Sequence, residues 1–220
     1  MWLLELEHAI MMRNAAMLRR SNAQPLMNIS LTTAPYKPVL LIFFLLIGMT
    51  ARANQQTDAA LGPLLQKAIA DGKCFDDKFD RAVWFAAMEP RLKRIVANET
   101  ERNLILENVQ CEAKRLQLPP ALVMAVIDVE SRFNRWATSS AGAVGLMQVM
   151  PFWPSKLGMK NHQLVEITHN IRMGCTILKY YLEREHGDYA RALARYNGSL
   201  GRRNYSDLVL VRLANQWQFK

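Results

Sequence analysis

Long apolar stretches, paired cysteines and basic–aromatic tracts are all scarce in this 220-residue chain, and each scarcity excludes something. The apolar run Val39–Ile47 falls well short of the ~20 residues that a membrane-spanning helix needs. There are only three cysteines, Cys74, Cys111 and Cys175, and no spacing of Cys, His or acids resembles a metal site, so no metal and no cofactor is expected. No cysteine closely follows the apolar run, which argues against a lipid anchor. Lys and Arg do not alternate with aromatics and no nucleic-acid motif is present, so nucleic acid is not an expected partner. Internal repeats and low-complexity tracts are lacking as well, which removes the solenoid and linker classes.

What is present begins near the N-terminus. Lys37 leads into the apolar run, Gly48 closes it, and Ala51-Arg52-Ala53 follows. A basic lead, a short apolar centre and a small-residue site describe a secretory signal peptide, expected to span residues 27–53 and to be cut after Ala53. An uncleaved anchor or a buried strand is the alternative. Residues 1–26 are then an over-extended start, with Met27 the expected first residue. The first 53 residues hold five basic and two acidic side chains, so their removal takes the net charge from +9 to +6. A basic, exported, periplasmic protein suits anionic polymers such as cell walls, and peripheral association with the envelope as a monomer is expected. An oxidising compartment permits one disulfide. Cys175 lies on the helical apolar stripe Ile167-Ile171-Cys175-Leu178-Leu182 and Cys74 just precedes a helix, so Cys74–Cys175 is the expected pair, against three unpaired core thiols.

Beyond residue 53 nearly every segment has helical periodicity, and the expected fold class is all-α with a small irregular or β insertion around residues 137–150. Helices are expected over Thr57–Ala70, broken by Asp71-Gly72, and over Asp77–Val96, kinked near Pro90. Asn98 with Glu101 three residues on has the pattern of a capping box for the helix carrying Ile105, Val109, Ala113 and Leu116. Pro119-Pro120 starts the next helix. Helix resumes over Glu166–Glu185, over Tyr189–Tyr196 with Asp188 as cap and Asn197-Gly198 as stop, and over Asp207–Gln216.

The helix after Pro120 ends on an acid in an apolar setting. Leu122, Val126 and Glu130 lie four apart, with Val123 and Ile127 on the same stripe. Burial disfavours the charged carboxylate, and so does the negative end of the helix dipole. Both push Glu130 toward holding a proton near neutral pH, as a general acid must. An ion pair with Arg132 or Arg135 is the competing explanation. Asp128 projects from another face, and no second carboxylate presents itself as a partner.

Four local features then stand in order: Glu130-Ser131; Ser139 in a small-residue loop; Gly145-Leu146-Met147-Gln148-Val149-Met150; and Tyr196-Asn197 at a helix end. This set resembles the lytic transglycosylase catalytic domain of the soluble (SLT) type, which shares its fold with goose-type lysozyme. The family signatures are Glu-Ser, Gly-Leu-Met-Gln and Ala-Tyr-Asn. The first two are matched letter for letter, the third as Arg195-Tyr196-Asn197, with Arg in place of Ala at the rim of the groove. The resemblance covers about Leu116 to Gly201, within a catalytic domain expected at 116–220 and preceded by a helical extension at 54–115 packing on it.

The resemblance implies a peptidoglycan lytic transglycosylase acting on glycan strands between N-acetylmuramic acid and N-acetylglucosamine. It implies Glu130 as acid and then base, closing a 1,6-anhydro ring without water. It further implies substrate contacts from Ser139, Met147, Gln148, Met150, Tyr196 and Asn197. Read as residues alone, Ser139 is equally a loop serine, Met147 and Met150 core filling, Tyr196 a core aromatic, and Asn197 a helix cap. Trp136 and Trp153 flank the loop, as sugar platforms or as core. The alternatives in function are a goose-type lysozyme, and a non-catalytic binding or assembly module of a secretion or conjugation machine.

Overall fold

The computed structural model describes residues 58–70 and 78–218. The signal peptide, the start at Met27 and Cys74 lie outside these residues. Seven helices of eight residues or more carry the described fold: α1 (Leu61–Ala70), α2 (Lys78–Leu92), α3 (Glu99–Leu116), α4 (Pro120–Ser131), α6 (Ile167–Arg184), α7 (Tyr189–Asn197) and α8 (Asn204–Arg212). Between α4 and α6 lie a short helix, α5 (Phe152–Lys156), and a 3-10 turn at Asn161–Val165. A π turn at Leu213–Trp217 follows α8. The all-α expectation holds among the described residues. The insertion contributes only isolated antiparallel bridges, Thr138 to Val144 and Val144 to Val149.

Local chemistry sets most boundaries. The Asn98 side chain accepts from the Glu101 N–H at 2.9 Å, and Asp188 accepts from the Arg191 N–H at 3.0 Å. Gly198 closes α7 at φ 75°. Several boundaries differ from the sequence expectation. Helix α1 begins at Leu61, four residues later than expected, with Pro63 in its first turn, where a missing N–H costs nothing. Helix α2 ends at Leu92, two residues past Pro90, without the predicted continuation to Val96. Helix α8 begins three residues earlier than expected, at Asn204, and its N-terminus has no side-chain cap to signal it.

Helix α4 carries the acid and is buried over most of its length. Its residues from Ala121 to Asp128 are all buried, so a polar face is lacking until the helix reaches Glu130. Around it α3, α6, α7 and α8 close a single core that also takes Leu61 and Leu65 of α1 and Trp84 and Met88 of α2. Asp58 fixes the start of α1 to α6, accepting from the Tyr180 hydroxyl at 2.6 Å and pairing with Arg184. Where α3 meets α6, the fully buried Glu112 is neutralised by Arg115 and Arg172, each 2.6 Å away. A buried carboxylate persists only with such partners.

The cysteine expectation is corrected. Cys111 is disulfide-bonded, whereas Cys175 is a free, fully buried thiol. The inward stripe of α6 aims Cys175 at the core, where its sulfur lies 3.9 Å from that of Met147. Burial pushes its thiol pKa up, and such a thiol is inert. Burial of Cys175 was legible in the periodicity, but a side chain walled in by core residues has no room for a second sulfur.

Candidate active site

Helix α4 stops abruptly. Arg132 and Phe133 both take left-handed backbone conformations, φ 51° and 62°, at a cost of roughly 1–2 kcal/mol each for non-glycine residues. Burial of Phe133 against Trp217, ring centroids 5.3 Å apart, holds this turn. The chain therefore folds back across the end of α4 and the insertion lies against Glu130. Ser131 ties the two together, its hydroxyl 2.8 Å from the Leu146 carbonyl oxygen and 3.1 Å from that of Ile127.

The loop is then held from behind by one residue of α6. Asn170 is 1% exposed and makes three hydrogen bonds to backbone. It accepts from the Met147 N–H at 2.7 Å and donates to the carbonyls of Val144 at 2.9 Å and Leu164 at 2.8 Å. Gly145 fits over it at φ 84°; a Cβ there would lie 2.3 Å from the Asn170 amide nitrogen. Gly174 serves in the same way beneath Met147, whose sulfur would lie 2.5 Å from an added Cβ. Close approach of backbone requires glycine at both points.

Six of the seven site residues expected from sequence line one cavity of about 100 Å³: Glu130, Ser139, Gln148, Met150, Tyr196 and Asn197, joined by Ala143. Larger concavities of about 920 and 800 Å³ lie elsewhere, around Trp84–Pro120 and Arg91–Arg212, and include none of these residues. Met147 does not join the cavity. It is fully buried against Gly174 and Cys175, so its side chain is core, and its contribution is a backbone carbonyl.

The remaining residues divide by what they touch. The Tyr196 hydroxyl donates to the Met147 carbonyl at 2.7 Å, so it positions the loop from the cavity floor. Burial, reinforced by the nearby Glu130 charge, keeps that phenol protonated. Gln148, at φ 50°, donates through its amide to the carbonyls of Gly145 at 2.9 Å and Ala137 at 3.1 Å. The Ser139 oxygen accepts from the Ala143 N–H at 3.0 Å. Arg195 turns away from the cavity to pair with Glu185, so the departure from the family's alanine leaves the cavity lining unchanged. Trp153 is core at 1% exposure, while Trp136 is exposed.

Glu130 is the only acid among the residues lining this cavity. Loss of water around its carboxyl raises its pKa from 4.5 to about 7, partly offset by a hydrogen bond from the Tyr205 hydroxyl, which donates to Oε1 at 2.5 Å. Neither Arg132 nor Arg135 forms an ion pair with it among the described contacts. Arg135 donates instead to the Val165 carbonyl at 2.9 Å. Asp128 is spent on the opposite side, accepting from the Trp217 indole at 3.0 Å with Arg212 3.9 Å away. Tyr205 and Asn170 were invisible from sequence, since each acts through a partner far along the chain.

Comparisons with known proteins point to the same region. A model of the family described as "Transglycosylase SLT domain" matches residues 107–207. Over 99 residues the chain is 36% identical to the transglycosylase of Enterobacteria phage PRD1, covering 45% of this chain and 36% of that protein. Over 53 residues it is 43% identical to membrane-bound lytic murein transglycosylase C of Actinobacillus pleuropneumoniae serotype 5b, covering 24% of this chain and 14% of that protein. The chain thus spans well under half the length of these relatives. Among solved structures it is similar to an inactive variant of lytic transglycosylase Slt from Pseudomonas aeruginosa, at 24% identity and TM-score 0.41 over 61% of this chain and 25% of that one. It is also similar to the 70 kDa soluble lytic transglycosylase Slt70 from Escherichia coli, at 20% identity and TM-score 0.41 over 75% and 32%. Residues 107–207 of this chain, which contain the whole cavity lining, are thus similar to the transglycosylase SLT domain.

Proposed function

We propose that this protein is a lytic transglycosylase that cleaves the glycosidic bond between N-acetylmuramic acid and N-acetylglucosamine in peptidoglycan, with Glu130 as the single acid–base group. The observation that carries this reading is the solitary carboxylate of the cavity, which is half protonated near pH 7. Hydrolysing glycosidases normally use two carboxylates about the scissile bond. One carboxylate suffices when the nucleophile belongs to the substrate. The Glu130 proton passes to the glycosidic oxygen as the bond from that oxygen to C1 breaks. The resulting carboxylate takes the proton of the muramic acid C6 hydroxyl, and C6–O closes on C1 to give a 1,6-anhydro end. Glu130 finishes protonated, so the cycle balances without water.

Within this scheme Tyr205 stabilises the charged form of Glu130 between the two proton transfers. The Ser139 hydroxyl, with its oxygen already accepting from Ala143, offers its hydrogen to the substrate. Gln148, Met150 and Asn197 border the sugar. Mass analysis of the muropeptides released from purified cell wall tests the activity: anhydro ends are expected, and reducing ends bearing the added water would replace this proposal with the lysozyme reaction. Export to the periplasm through a leader at residues 27–53, and action as a monomer at the envelope, belong to the same proposal. No helix among the described residues is long and apolar enough to cross a membrane.

Tyr205→Phe removes the hydrogen bond that lowers the Glu130 pKa, so that pKa is expected to rise from about 7. The alkaline fall in the rate should shift to higher pH while the maximum drops about tenfold, the worth of one hydrogen bond to a charged group. A pH–rate profile that keeps its alkaline limb in place would separate Tyr205 from Glu130.

A further inference from the structure

Trp136 is an indole left in solvent at 66% exposure, three residues before the cavity-lining Ser139. The backbone on both sides of it is pinned. Its own N–H donates to Asn134 Oδ1 at 2.9 Å, and the next carbonyl, that of Ala137, accepts from the Gly145 N–H at 2.9 Å and the Gln148 amide at 3.1 Å. The ring is also held from one side. The Arg135 guanidinium lies 4.8 Å from its centroid and is itself fixed to the Val165 carbonyl. One ring face is therefore occupied and the other is open. Ser139, which lines the cavity, is three residues on, so at most about 11 Å of chain separates it from Trp136.

We infer that Trp136 is a substrate-stacking platform, receiving the apolar face of an N-acetylhexosamine unit that extends from the Glu130 cavity. This rests on the activity proposed above. The π face of an indole carries partial negative charge and suits the polarised C–H groups that a pyranose presents on one face. A cavity of about 100 Å³ cannot hold a glycan by itself, so the strand needs contacts outside it. A ring already fixed in place costs little entropy when the sugar arrives.

The other described tryptophans, Trp84, Trp153 and Trp217, are buried, so among them only Trp136 can report stacking. The experiment uses the Glu130→Gln protein and the N-acetylglucosamine pentamer, so binding is read without cleavage. The pentamer should blue-shift the emission and protect it from acrylamide. Trp136→Ala in that background should weaken binding about tenfold and abolish the spectral change, while Trp136→Phe should stay within about threefold. With Glu130 restored, Trp136→Ala should raise KM with kcat retained. No spectral response in the unaltered indole, an unchanged affinity in Trp136→Ala, or an equal loss in Trp136→Phe would each overturn the inference. Muropeptides with hydrated ends would fault the proposed reaction and leave this binding result to be read separately.

Discussion

Glu130→Gln should lower the rate on peptidoglycan at least about a thousandfold at pH 6, while the protein becomes more stable at pH 8. The rate effect follows from asking one residue to do two tasks. A positioned acid or base contributes roughly 10²–10⁴-fold, and here both proton transfers are lost together. Gln148 and the tyrosines offer no replacement, because the phenols of Tyr196 and Tyr205 are themselves held protonated by burial. The stability effect follows from linkage. The Glu130 pKa is raised from 4.5 to about 7 in the fold, so between those values the native state binds more protons than the unfolded chain. The favourable contribution is complete below pH 4.5 and is lost as pH rises through 7. The difference is on the order of 3 kcal/mol. Glutamine is neutral throughout, so the variant should match the parent near pH 4 and exceed it near pH 8. Thermal unfolding across pH checks this. Parallel curves for the two proteins would mean that Glu130 is not desolvated.

Asn170→Ala is expected to cost about 3 kcal/mol of stability, and to lower catalysis beyond what unfolding explains. The substitution orphans a buried backbone N–H at Met147 and the carbonyl of Leu164, and removes one of the two hydrogen bonds to the Val144 carbonyl, which keeps the Val149 N–H at 3.0 Å. Each unsatisfied buried group costs roughly 1–3 kcal/mol, though neighbours relax and the costs do not simply add. For a chain of this size the melting temperature should fall by about 10 °C. The loop freed in this way carries Gln148 and the Ala143 amide that holds Ser139, so kcat/KM at 25 °C should fall about tenfold in protein that is still folded. A shift of only a degree or two, or full activity in the folded variant, would show that the loop holds its shape without α6.

The parts of the site that could be read from sequence share one property: their local neighbours define them. Glu130 is legible because a helix that is apolar on every side from Ala121 to Ile127 cannot end in a carboxylate without perturbing it. The stop at Asn197-Gly198 is legible from backbone requirements. Met147 and Met150 show the limit of such reading. They stand three apart in one short segment, yet one fills the core beneath Gly174 and the other lines the cavity. In a stretch without helix or strand periodicity, side-chain direction cannot be inferred from spacing.

By itself the sequence determined an all-α chain, the acid at the end of an apolar helix, and three ordered segments beyond that acid. The first two follow from periodicity, capping and burial, which act over a few residues; the segments are legible through their resemblance to the lytic transglycosylase domain. Only the tertiary structure decided that Glu130 faces a phenol and not an arginine, since Tyr205 lies 75 residues away on a helix whose start has no cap. It also decided that Asn170 supports the loop and that Cys175 stays a free thiol, with Cys111 in the disulfide. Each of these depends on which faces of distant helices meet. That is fixed by the packing of the whole core and by no local run of residues.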